Sequence, residues 1–206
     1  TDDFEKFDVL SMSVPDNRNM VLFPAKIGGK FARLERPFPV YGRYGAGDEA
    51  FDICFSDSPD CAYWGNSQLV LGAEKVPYAN CKIGPGAPPV RTRKGWLAAI
   101  HAVRKDKTTE LPSSHKGWHK RYAAGLMLLD MESPWKVIGF CREPLLAPEE
   151  PYEYEMKGYR GSVIFPTGMV LEDDGEVKIY YGAADTVVAL ATASLDDLLN
   201  LCVPFS

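Results

Sequence analysis

The segment FPTGMVLEDDGEVKIYYGAAD, Phe165 to Asp185, decides the fold class. A proline precedes one short apolar run, Met169-Val170-Leu171, and a second run follows, Val177-Lys178-Ile179-Tyr180-Tyr181. In the second run Val177, Ile179 and Tyr181 fall on one side and Lys178 and Tyr180 on the other, the two-residue period of a half-buried strand. Between the runs, Asp173-Asp174-Gly175-Glu176 has the residues of a tight hairpin turn. The same order of proline, strand, glycine turn and strand occurs in FPAKIGGKFARLERP (Phe23 to Pro37) and APPVRTRKGWLAAIHAV (Ala87 to Val103). A second element also recurs. Ser-Pro, a tryptophan and a strand follow one another in SDSPDCAYWGNSQLVL (Ser56 to Leu71) and in LDMESPWKVIGFCREPLL (Leu129 to Leu146). Repeats built only of strand and turn predict an all-β chain of four-stranded antiparallel blades set around an axis. A sandwich punctuated by proline and glycine is the plainer alternative. The repeats make roughly three blades, fewer than the about four to eight that close a propeller.

Further runs extend the strand pattern: Met20 to Phe23, Phe31 to Leu34, Phe51 to Phe55, Gln68 to Leu71, Trp96 to Val103, Ala124 to Leu129, Val163 to Phe165 and Val187 to Ala191. The 18 glycines and 16 prolines are spread between these runs, which is turn chemistry and not that of a linker. Ser194 to Leu199 reads as a short amphipathic helix with Ser194 as cap and Asp197 at the capping-box position. Arg104 to Lys120 is polar, basic and interrupted by Pro112 and Gly117, so it reads as a long loop, a feature that often carries function.

Composition narrows the class. With 206 residues, 46% of them hydrophobic, the chain can bury the core of one domain. No run of about 18 apolar residues is present, so no membrane-spanning segment is expected. A net charge of -5 without a basic stripe argues against a nucleic-acid partner. The start, TDDFEKFDVL, is acidic and does not read as a signal peptide. The 5 cysteines are odd in number and irregularly spaced, which predicts reduced thiols, a cytoplasmic setting and no metal site.

The polar residues set in apolar or Gly/Pro context are the candidates for chemistry. Arg18 lies in DNRNMVLFP, Arg36 in ARLERP, Lys82 at the head of CKIGPGAPP, His101 in LAAIHAV, Tyr122 in YAAGLMLLD and Asp185 in YYGAADT. Were Arg18, Arg36 and Lys82 to converge, they would bind an oxyanion such as phosphate, with His101 and Tyr122 adding directional hydrogen bonds. Taken singly, each has a plainer role: a solvated rim arginine, a structural histidine, an aspartate that closes a turn. Trp64, Trp96 and Trp135 recur at repeat landmarks and read as packing residues. Trp118, in SSHKGWHKRY, reads as an exposed platform for an acceptor sugar. Serine-hydrolase, P-loop, zincin and dinucleotide signatures are all missing from the sequence. Glycosidic chemistry, which needs only carboxylates, remains open, with Glu35, Asp57, Asp60 and Asp185 as the acidic candidates.

DNRNMVLFPAKIGGKFARLERP, SPDCAYWGN, KIGPGAPP, YAAGLMLLD, SPWKVIGFCREPLL, VIFPTGMVLEDDGEVKIYYGAADT and LATASLDDLL together resemble the C-terminal portion of glycoside hydrolase family 130, the inverting β-mannoside phosphorylases and related hydrolases. The resemblance implies a five-bladed β-propeller, with residues 1–206 forming the C-terminal part of its single catalytic domain and supplying roughly three blades. It implies phosphorolysis of a β-mannoside, such as β-1,4-mannosyl-glucose or a short manno-oligosaccharide, to α-mannose 1-phosphate and the acceptor sugar. Inorganic phosphate is then a co-substrate, and no cofactor is implied. By the same resemblance Arg18, Arg36, Lys82, His101 and Tyr122 form the phosphate site, and Asp185 holds hydroxyls of the mannose. The general-acid aspartate of the family precedes the DNRNM motif and has no counterpart in this chain. A companion chain supplying the N-terminal blades, and a homo-oligomer, are the implied partners. A mannoside hydrolase and a non-catalytic carbohydrate-binding fragment are the alternatives.

Overall fold

Each of the repeated segments contributes to an antiparallel hairpin, and each hairpin belongs to a different sheet; in the first, the leading strand ends at Leu22, before Pro24 and not after it as the repeat predicts. The computed structural model describes residues 1–38, 51–105, 120–154 and 160–204. The first sheet is a meander of β1 (Asn17–Leu22), β2 (Phe31–Pro37), β3 (Ile53–Ser58) and β4 (Gly65–Leu71). The second is built on β5 (Lys82–Pro85), β6 (Val90–Arg91), β7 (Trp96–Lys105), β8 (Lys120–Leu129) and β9 (Val137–Phe140). The third comprises β10 (Ile164–Leu171), β11 (Glu176–Ala183) and β12 (Val187–Ser194). The second recurring element supplies the last hairpin of the first two sheets, β3–β4 and β8–β9.

In the middle repeat the first strand is split. β5 and β6 both pair with β7, and between them Pro88 and Pro89 have no N–H to give to a ladder. After β12 comes the helix α2 (Leu195–Leu201), and β13 (Val203–Pro204) then returns to pair with β9. Ser194 caps α2 by accepting from the Asp197 amide at 3.1 Å, as the capping pattern requires. A one-turn helix, α1 (Pro151–Tyr154), and a 3-10 turn at Ala73–Lys75 carry no periodic signal in the sequence. Gly175, at φ 88°, makes the β10–β11 turn, and Val177, Ile179 and Tyr181 are buried as their alternation predicts.

β7 is buried on both faces, which explains why WLAAIHAV shows no alternation. Trp96, Ala98, Ile100 and Ala102 pack with Leu34, Ile53 and Phe55 of the first sheet. Leu97 and Ala99 face the other way, onto Met169, Val177 and Ile179 of the third sheet and Leu198 of α2. Trp96 is buried, donates to the Met131 carbonyl at 3.1 Å and meets Phe23 edge-on, while Trp135 packs on Phe55. Trp64 departs from the packing role. It is only half-buried, with the Arg33 guanidinium 4.1 Å above its ring. The five cysteines form no disulfide, and among the described residues no helix is long and apolar enough to cross a membrane.

Candidate functional site: a cationic cluster beside a sugar-sized pocket

The pleat and register of the second sheet assemble the site. Lys82 on β5 lies opposite Val103 on β7, which lies opposite Tyr122 on β8, so the three side chains share a row and a face. The Lys82 ammonium accordingly sits 5.3 Å from the centre of the Tyr122 ring. One row further along, Gly84, His101 and Ala124 are cross-strand partners on that same face. Because Gly84 and Ala124 are small, His101 is the bulky member of its row. Phe165 of β10 stacks on the imidazole at 4.4 Å.

The first sheet adds the arginines. Arg18 and Arg36 are register partners on β1 and β2, with an irregularity in β1 between Arg18 and Val21 that re-aims the strand. Arg36 is buried and its Nη1 donates to His101 Nε2 at 3.2 Å. A guanidinium has only donors, so Nε2 accepts and the imidazole proton resides on Nδ1. Arg18 is exposed, its guanidinium 4.9 Å from the Phe38 ring. Parallel bridges Phe51↔Lys82 and Tyr122↔Val163 tie the second sheet to the segments on either side of it at this end.

Electrostatically the cluster is one-sided. Burial, then the Arg36 and Lys82 charges, hold His101 well below its ordinary pKa, so it is neutral. Burial first and Arg36 next lower Lys82, with Arg160 and Arg18 acting in the same direction. Burial lowers Arg36, and Arg18 lowers it further. Burial raises Tyr122 against the pull of Lys120, Arg160 and Arg36, which keeps its hydroxyl protonated. Among the described residues no carboxylate forms an ion pair with Arg18, Arg36 or Lys82; the ion pairs there are Lys30–Asp57, Arg33–Glu35, Arg93–Asp196 and Lys178 with Glu172 and Glu176. The Nε of Arg36 is buried with no hydrogen-bond partner. A buried polar group of this kind normally has a partner, and an ionised one needs an anion.

His101 also predicts an acid limb of stability. Its folded pKa lies below the unfolded value of about 6.5, so between those two values the unfolded chain binds more protons. Stability is therefore full above pH about 6.5 and is lost as pH falls, with a slope of at most about 1.4 kcal/mol per pH unit from this group. Urea unfolding between pH 7 and 5 checks it, and His101→Gln is expected to flatten the slope over that window.

Asp185 closes the turn between β11 and β12 with φ 49°, one of the plainer roles open to it, and it is exposed. Together with Tyr122, Arg160, Val163 and Phe165 it lines a pocket of about 210 Å³. Arg18, Arg36, Lys82, His101, Tyr122 and Asp185 are thus brought to one place. Trp118 lies outside the described residues. Arg160 is the residue that sequence reasoning missed: GYRGSVIF gives it no motif, and only folding sets it beside Tyr122.

Residues 2–203 match the family described as beta-1,4-mannooligosaccharide phosphorylase. The chain belongs to glycoside hydrolase family 130. Within family 130, it is 37% identical over 189 residues to the beta-1,4-mannooligosaccharide phosphorylase of Ruminococcus albus, covering 91% of this chain and 51% of that protein. It is 27% identical over 186 residues to the 4-O-beta-D-mannosyl-D-glucose phosphorylase of Bacteroides fragilis, covering 90% of this chain and 44% of that protein. The solved beta-1,2-mannobiose phosphorylase of Listeria innocua, in complex with beta-1,2-mannobiose, superposes with a TM-score of 0.75 at 31% identity, covering 92% of this chain and 47% of that one. The chain spans about half the length of these family 130 relatives.

Proposed function

We propose that this chain carries the phosphate site and half of the donor-sugar subsite for inverting phosphorolysis of a β-mannoside. The observation that carries the reading is the buried Arg36 guanidinium, grouped with Lys82 and Arg18, with no carboxylate paired to any of them among the described residues. Phosphate is a poor nucleophile surrounded by its own charge. Arg18, Arg36 and Lys82 fix it and reduce repulsion as it approaches the anomeric carbon, and Tyr122 and His101 complete its surroundings. His101, neutral, serves by accepting from Arg36 and so aiming the guanidinium.

Asp185, in the lining of the pocket, receives mannose hydroxyls, and Trp118 offers a platform to the acceptor sugar. Inversion needs the nucleophile on one face and a proton donor on the other. Phosphate replaces water and its general base, so a single acid suffices. That acid is an aspartate outside this chain. The whole catalytic unit is a five-bladed propeller in which the sheets described above serve as blades and a companion segment supplies the rest, the assembly acting as a homo-oligomer in the cytoplasm. The higher identity to the Ruminococcus albus enzyme favours a β-1,4-linked manno-oligosaccharide as substrate, with mannosyl-glucose as the second candidate. A hydrolase would have no use for so concentrated a positive charge, because water carries none.

Two measurements test this. Denaturing intact-mass analysis of the native preparation is expected to find a second polypeptide of about 12–20 kDa, the size of the missing blades. That preparation is expected to release α-mannose 1-phosphate from mannosyl-glucose or mannobiose only when phosphate is supplied. Release of free mannose at the same rate with and without phosphate would overturn the phosphorylase reading in favour of a hydrolase.

A further inference from the structure

The turn that presents Asp185 is strained, and its own residues do not account for its conformation. The Thr186 amide donates to the Ala183 carbonyl at 3.0 Å, and the two central residues, Ala184 and Asp185, have φ 48° and 49°. A turn with positive φ at both centres favours asparagine and glycine, because a Cβ there crowds the backbone. Alanine has neither the freedom of glycine nor the short polar side chain of asparagine. Such a conformation persists where its surroundings impose it, and residues of this kind cluster at ligand sites.

The surroundings that impose it can be followed bond by bond. Ala184 is buried, its N–H donates to the Val163 carbonyl at 2.9 Å, and its carbonyl accepts from the Thr186 hydroxyl at 2.8 Å. Val163, which lines the pocket together with Asp185, donates its own N–H to the Glu153 carbonyl at 3.1 Å. Glu153 lies in α1 and is buried. Its Oε1 accepts from the Tyr181 hydroxyl at 2.7 Å, and its Oε2 from the Glu149 and Glu150 amides at 2.9 Å each. A desolvated carboxylate is costly unless its lone pairs are filled, so three donors at these distances fix the side chain. Tyr181 belongs to β11, the strand that leads into the turn. Tyr181, Glu153, Val163 and Ala184 thus form a closed circuit that starts and ends on the same strand.

We propose that Glu153 is a positioning residue for the donor-sugar subsite: without lining the pocket, it holds the Ala184-Asp185 turn in its left-handed conformation and so keeps Asp185 in the lining. This inference rests on the reading of Asp185 as the residue that receives mannose hydroxyls. The phosphate residues Arg18, Arg36, Lys82 and His101 are placed by β1, β2, β5 and β7, outside the circuit. Loss of the Glu153 carboxylate therefore costs sugar affinity and spares phosphate.

Isothermal titration of the full chain with α-mannose 1-phosphate and, separately, with inorganic phosphate tests it. Glu153→Gln keeps the shape but turns an amide N–H2 towards groups that donate. It is expected to weaken α-mannose 1-phosphate by about tenfold, with phosphate affinity changed by less than about threefold. Tyr181→Phe removes one of the three donors and no bulk, and is expected to give the same selectivity on a smaller scale, which keeps the test open should Glu153→Gln not fold. Two further results separate positioning from general support of the fold. In an Asp185→Ala chain, Glu153→Gln is expected to cost no further sugar-phosphate affinity. Ala184→Gly, which accepts positive φ without strain, is expected to recover part of the Glu153→Gln loss. Equal weakening of both ligands, weakening of neither, or losses that add to those of Asp185→Ala would overturn the inference. The reading of Asp185 survives that outcome as long as Asp185→Ala alone weakens α-mannose 1-phosphate. If Asp185→Ala leaves that affinity unchanged, the donor-subsite reading falls and this inference falls with it.

Discussion

Arg36→Gln is expected to weaken phosphate binding by about a hundredfold or more, the loss of a bidentate, charge-assisted contact in a desolvated site. The wild-type melting temperature should rise on adding phosphate, because a ligand that binds only the folded chain stabilises it by mass action. In the variant that rise should vanish. The sign of the effect without phosphate separates binding from architecture. Burial and the neighbouring Arg18 charge both disfavour the Arg36 cation, and its Nε is buried without a partner. Glutamine removes that charge. The unliganded variant should therefore melt no lower than wild type, the pattern of a site whose own charges strain the fold. A variant that melts well below wild type yet keeps its phosphate-induced shift would mean that Arg36 is structural and that the anion binds elsewhere. Differential scanning fluorimetry over a phosphate series reads both quantities in one experiment.

The hairpins were legible because their determinants are local. Proline before a strand, a glycine at positive φ and two-residue alternation all act within a few residues, as Val177 to Tyr181 and Gly175 illustrate. The split between β5 and β6 was legible in principle too, since Pro88 and Pro89 announce it. What sequence spacing does not hold is convergence. Arg36 and His101 meet across 65 residues, through packing of one sheet on another. Arg18, Arg36, Lys82, His101, Tyr122 and Asp185 were picked out by resemblance, and the structure gives a physical reason for their grouping: rows of a pleated sheet facing one end. Arg160 escaped because neither its neighbours GYRGS nor its spacing distinguish it from a rim arginine. Trp64 misled for the related reason that a repeat landmark fixes a turn, whereas burial depends on what packs over that turn.

Gly84→Ala is expected to be the most disruptive single-methyl change in the site, lowering stability by about 1–3 kcal/mol and phosphate affinity by about tenfold. A Cβ at Gly84 would fall on the His101 ring, 2.7 Å from Nε2, and 3.4 Å from Cδ of Arg36. The ring has little room to yield, being fully buried with Phe165 stacked on it at 4.4 Å. If it moves, the 3.2 Å contact between Nε2 and Arg36 Nη1 is lost and the guanidinium is no longer aimed. If instead β5 moves, Lys82 moves with it, because Lys82 and Gly84 lie on the same face of that strand. Either path couples a packing error to the anion site, so the two losses should appear together. Gly182→Ala is the control: its Cβ would meet nothing closer than the Phe165 carbonyl at 4.0 Å, and it should leave phosphate binding intact. Adding His101→Ala to Gly84→Ala should restore part of the stability, a coupling that a double-mutant cycle measures directly. A Gly84→Ala chain with wild-type stability and wild-type phosphate affinity would show that His101 has freedom the packing denies it, and with that the positioning role of the imidazole would go.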